Sequence, residues 1–205
     1  MDFNLLLLFL LSSVALTLFP GPDITYVFST SLTQGRIRGL KLSLGLCSGL
    51  WIHTLLVIVG VGNLLAEFPQ SQRVLEFLGG GYLLYLAYKS WSAGSVKPQN
   101  QEGLADPKRN NPYLTGFIMN LTNPKVSLFF ISFFPGFLFH QTWSHSLQFL
   151  ILGAVFFIQA LVVFGSVTLF AAFLGTKFIQ TKDSILWNRI QALVLFLIAL
   201  LFFYP

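Results

Sequence analysis

Two oppositely charged residues, Asp23 and Lys125, each stand directly after a proline inside a long apolar run. The first run reads Leu18-Phe19-Pro20-Gly21-Pro22-Asp23, the second Asn120-Leu121-Thr122-Asn123-Pro124-Lys125. A charge at the centre of a membrane helix costs about 2.5–3.5 kcal/mol, so residues of this kind mark ion or solute pathways. Proline removes a backbone donor and clashes with the preceding turn. In lipid, the carbonyls it frees must find partners in protein or water. Gly21 or Asn123 can serve as the N-cap of a new half-helix, with Pro22 or Pro124 at its first position. Each break would then aim unpaired amides and a positive dipole end into the interior, which suits a carboxylate. Asp23 offers the opposite sign, for an ammonium group or a coupling proton. Gly21, Pro22, Asp23, Asn120, Asn123, Pro124 and Lys125 are therefore the candidate substrate-binding or coupling residues. The competing reading makes Asp23 and Lys125 a purely structural salt bridge between two halves of the chain.

Other polar groups in the apolar runs carry less. Thr122 and Thr17 add hydroxyls near the breaks, while Ser12 and Ser13 are expected to bond backbone carbonyls of their own helix. His53 lies mid-span, where a hydrogen-bonded core residue is the plainer reading and a proton relay the sharper one. Gly45-x-x-x-Gly49 and Gly79-Gly80-Gly81 read as close helix contacts. Cys47 is the only cysteine, which excludes an intrachain disulfide and leaves it as a packing residue.

The elements that hold these residues follow from composition. Of 205 residues, 55% are hydrophobic and 9% charged. Soluble domains carry roughly 25% charge, so the bilayer is the main solvent here. Six stretches are apolar and long enough to span: 4–32, 40–66, 74–91, 113–139, 147–173 and 185–204. They are continuously apolar rather than alternating, which favours helices over a β-barrel. The first lacks the basic flank and small-residue cleavage site of a signal peptide and is read as a span. The twelve basic residues form no stripe, which excludes nucleic acid as a partner. They gather instead in alternate loops: Arg36, Arg38 and Lys41; Lys89, Lys97, Lys108 and Arg109; Lys177, Lys182 and Arg189. The opposite side has only Arg73, so both termini are expected outside.

Ser92–Pro112 is rich in Gly, Pro, Asn, Gln and charge and reads as a cytoplasmic linker. It divides one transmembrane domain, 1–205, into repeats of three spans at about 1–91 and 113–205. An odd number of spans per half inserts related halves with opposite topology. The expected fold is all-α: about six transmembrane helices in two inverted three-helix repeats, the first helix of each broken at its proline.

Pro20-Gly21-Pro22-Asp23, the Gln34-Gly35-Arg36 turn, Gly80-x-Tyr82-Leu83-Leu84-Tyr85-Leu86 and Asn120-x-x-Asn123-Pro124-Lys125 resemble the LysE/RhtB family of amino-acid exporters, in order and over nearly the whole chain. The resemblance implies export of amino acids or their derivatives across a bacterial inner membrane, with a proton as coupling ion. It leaves the cargo and a homo-oligomer open. The partners expected are thus an amino acid, a proton and membrane lipid, with no cofactor and no resident metal. Two rival readings are a related transporter of metal cations and a membrane-embedded enzyme. Asp23 stands alone beside a lysine, which is poor metal chemistry. The chain also has no Gly-x-Ser-x-Gly, His-Glu-x-x-His or Walker pattern.

Overall fold

The computed structural model describes residues 2–19, 21–68, 70–92 and 111–174, together with 189, 192, 193, 196, 197, 199 and 200. Among these residues the chain is helical and forms no strand. Helix α1 (Phe3–Leu18) starts at Asp2, whose Oδ1 accepts from the amides of Asn4 and Leu5 at 3.0 and 3.3 Å. Helix α2 (Pro22–Gln34) follows at a 60° bend. It stops at Gly35, where φ is +82° and ψ 170°, a region open essentially to glycine alone. That single residue is both the end of α2 and the start of α3 (Arg36–Leu56). A five-residue π-helical turn, Val57–Val61, carries α3 into α4 (Gly62–Glu67).

After α5 (Ser71–Ser92), the described chain resumes at Asn111. Asn111 caps α6 (Pro112–Leu121) by accepting from Tyr113 N at 3.1 Å. Then come a break, α7 (Pro124–Phe133), a 3-10 turn (Phe134–Phe137) and α8 (His145–Leu174). The α6–α7 pair is bent by 51°. The loop into α8 is locked by one buried side chain. Gln148 Oε1 accepts from the amides of Phe139 and His140, and its Nε2 donates to the carbonyls of His140 and Trp143.

Among the described residues, two helices are long and apolar enough to cross a membrane alone: the 32 residues of Arg36–Glu67 and the 30 of His145–Leu174. Each bent pair can supply one more, giving up to four spans. The stretch expected as the third span lies in α5, a 22-residue helix that Arg73, Glu76, Lys89 and its glycine run leave outside those candidate spans. The expected sixth span falls largely, and the linker almost wholly, outside the described residues. The outward faces of α1, α3 and α8 carry Leu7, Leu55, Leu56, Val59, Ile158, Val162, Phe170 and Phe173, all exposed. An apolar exterior over helices of this length suits lipid rather than water.

Helix α3 is the hub, packed against α2, α6 and α8. Its approach to α6 depends on glycine: a Cβ at Gly45 would collide with the Tyr113 carbonyl, and one at Gly116 with the Leu42 carbonyl. Gly79 likewise admits the backbone of Ser132, whereas Gly81 faces open space. So Gly45, Gly49 and Gly79 serve close helix packing, as their spacing suggested. A cluster of aromatic rings fills much of the interior around α7. Phe129, Phe130, Phe133, Phe134 and Phe137 run down one side of α7 and its 3-10 turn. Their ring centroids lie 4.2–4.6 Å apart in the pairs 129–133, 130–134 and 133–137, and Phe9 and Phe156 close against them.

Candidate functional site between two helix breaks

Both breaks have the local structure their sequences dictate. Gly21 is the N-cap of α2, with extended backbone and Pro22 at the first helical position. Asn123 is the N-cap of α7, with Pro124 at the first position. In each case proline sits where its missing N–H costs nothing to the helix it begins. The cost falls on the helix before it.

In a regular helix the carbonyl of residue 16 would accept from residue 20, and that of residue 120 from residue 124. Both donors are prolines. The Leu16 carbonyl instead takes a hydrogen bond from Lys125 Nζ at 3.2 Å and one from Phe19 N at 3.2 Å. The Asn120 carbonyl accepts from Asn123 N at 3.1 Å and lies 3.3 Å from His53 Nε2. A basic side chain from the other half of the sequence therefore serves each freed carbonyl. His53 is thus a hydrogen-bonded core residue, buried against Phe130, and its partner is the second break itself.

The two breaks meet through Asn123. Its Oδ1 caps α7 by accepting from Lys125 N at 3.0 Å, and its Nδ2 donates to Asp23 Oδ2 at 2.8 Å. Asp23 and Asn123 are only 4% and 5% exposed. Asp23 Oδ1 is buried and has no hydrogen-bond donor. Asn120 also belongs to the cluster. Its side chain packs onto Gly49, and its Oδ1 lacks a donor as well. All the residues chosen from sequence thus lie at the two breaks, and Asn123 joins them.

Asp23 and Lys125 do not close into an ion pair. No nitrogen–oxygen contact within 4.0 Å joins them, although each lies in the other's field. The half-buried Lys125 places its ammonium over the Phe19 ring, 5.3 Å from the centroid. A side-chain carbon added at Gly21 would lie 3.3 Å from Nζ, so the ammonium stands beside the start of α2. A lysine and the positive end of a helix with no side-chain cap share one corner with Asp23, a first-turn carboxylate with an unmet oxygen.

Sequence reasoning missed three participants. The Leu16 carbonyl and the Phe19 ring have no sequence signature beyond preceding Pro20. Gln159 does have one. It is an amide inside α8, a strongly apolar helix of 30 residues, 5% exposed, and it donates to Thr17 Oγ1 at 2.9 Å and Ser13 O at 3.4 Å. Ser12 and Ser13 bond the carbonyls of Leu8 and Leu10 within α1, as expected.

In a helical membrane protein, two proline-broken helices meeting at a pair of opposite charges are the plan of many secondary transporters. The chain belongs to the LysE type translocator family, whose match covers residues 14–205. That family moves solutes rather than transforming them. Among its relatives, an uncharacterized membrane protein of Vibrio cholerae is 33% identical over 89% of this chain and 88% of its own. Homoserine/homoserine lactone efflux proteins of Salmonella typhimurium and Salmonella typhi are each 34% identical, over 80% of this chain and 78% of theirs. No solved structure matches.

Proposed function

We propose that the protein is a proton-coupled exporter of amino acids or their derivatives across the bacterial inner membrane, and that the cargo binds between the two breaks. The observation that carries this reading is the charge layout around the Asp23–Asn123 hydrogen bond. Lys125 and the α2 start are both positive and adjacent, an arrangement that favours negative groups beside it. Asp23, in the first turn of α2, brings the opposite sign to the same corner, one oxygen held by Asn123 and the other unmet. An amino acid is a zwitterion at neutral pH and offers both ends at once. Its carboxylate would bind Lys125 and the free amides of α2, and its ammonium would bind Asp23. Protonating Asp23 would release the ammonium, and deprotonating it would restore the site.

This reading takes the whole chain as one domain of six spans in two inverted repeats, joined by a cytoplasmic linker, with both termini outside. The matching cap-and-proline starts of α2 and α7, and the reciprocal service of Leu16 and Asn120, support a related pair of halves. The names of the Salmonella relatives make homoserine the first cargo to try. Proteoliposomes loaded with labelled homoserine should release it faster under an imposed proton gradient than protein-free liposomes do. If homoserine and a panel of other amino acids all stay inside, the reading is wrong.

A further inference from the structure

Asp23 and Lys125 can hold only the groups that every amino acid shares, so discrimination among cargoes needs another residue. Gln159 is buried beside the last turn of α1, whose Leu16 carbonyl also holds Lys125. Its Nε2 is anchored on Thr17 Oγ1 and Ser13 O, which fixes the amide in the packing of α1 on α8. Its Oε1 is buried and meets no donor. Among the described residues, the buried side-chain oxygens in that state are those of Asp23, Asn120 and Gln159. An unmet buried acceptor is unfavourable, and an apolar residue would join the two helices without that cost.

We infer that Gln159 is a specificity-determining residue: its Oε1 accepts a hydrogen bond from a hydroxyl or amide on the cargo's side chain. The inference rests on the amino-acid-exporter reading and adds to it a preference for polar side chains over apolar ones of equal size. A site built to bond a hydroxyl rejects the analogue without one, because its own polar group is then left unpaired.

Homoserine and norvaline test this, since they differ by a hydroxyl in place of a methyl. Proteoliposomes loaded with both should release homoserine faster. Gln159→Leu should cut the homoserine-to-norvaline ratio by about tenfold, through the homoserine rate alone. Thr17→Val weakens the anchor but keeps Oε1, and should leave the preference in place. If Gln159 only ties α1 to α8, both variants will slow the two solutes alike and the ratio will not move, which overturns the inference. A wild-type protein without preference for homoserine overturns it as well, while the exporter reading stands. If the wild type moves neither these solutes nor any other amino acid, both readings fall together. Should Gln159→Leu not insert, Gln159→Met carries the same comparison.

Discussion

The breaks at Pro22 and Pro124 share a plan and differ in one respect. Each begins a new helix with proline at its first position, each bends its pair by 50–60°, and each leaves a carbonyl that the opposite half serves. The second break caps itself: Asn123 occupies the first free amide of α7 with its own side chain. The first cannot, because Gly21 has no side chain and no other side chain caps α2. One helix start is closed and the other open. Lys125 extends from the closed start to the open one. The lesson is that two similar motifs can divide the labour, one holding the geometry and the other keeping its donors for a ligand.

The sharpest way to break this comparison is Asp23→Asn. It keeps the size and the bond to Asn123 but removes the charge that must release the ammonium. Proton-driven efflux should fall by more than about 100-fold while thermal unfolding in detergent barely moves, in keeping with the full loss of a charged contact. Unchanged efflux would take Asp23 out of the mechanism. Next comes the double variant Asp23→Asn with Lys125→Met. A purely structural charge pair predicts recovery of transport, since no unpaired buried charge remains. A cargo role predicts stable insertion and no efflux, and wild-type rates in the double variant would end the zwitterion scheme.

Asn123→Ala strikes the closed start. Losing the cap should cost about 1 kcal/mol of stability, and the lost bond to Asp23 should slow efflux about tenfold. A change in melting temperature without a change in efflux would make Asn123 a cap and nothing more. The smallest expected effect is the most diagnostic. Gly21→Ser adds a hydroxyl able to cap α2, with only the flexible end of Lys125 in its way. It should leave stability the same or slightly better, yet raise the half-saturating cargo concentration about threefold to tenfold, because the cap competes for the amides. Equal affinity would show that the open start is not where the carboxylate sits.

Much of this was legible in the residues. Prolines in matching apolar runs, each followed by a charge, specify a break with a cap before it, and both starts are found at the residues so marked. The long helices follow from continuous apolar runs, and the close contacts at Gly45, Gly49 and Gly79 from the absence of a side chain. The partners of the freed carbonyls were not legible. Which distant donor reaches Leu16 or Asn120 depends on how helices cross, and no local pattern encodes that. The absence of a direct Asp23–Lys125 contact is of the same kind: charge and spacing suggest a pair, and only packing shows the carboxylate on Asn123 and the ammonium on the Leu16 carbonyl. Gln159 could have been flagged, since an amide in the middle of a lipid-length apolar helix is rarely idle.

The glycine seam between α3 and α6 limits how the molecule can move. At Gly45 and Gly116 the two backbones touch with nothing compressible between them, so neither helix can slide or roll against the other without lifting off. Yet α3 comes from the first half of the chain and α6 from the second. A conformational cycle in which the halves rock as separate blocks would have to tear this seam open at every turnover. On the exporter reading proposed above, these two helices would travel together as one strut, and any exposure of the site to alternate sides would have to come from segments outside this seam.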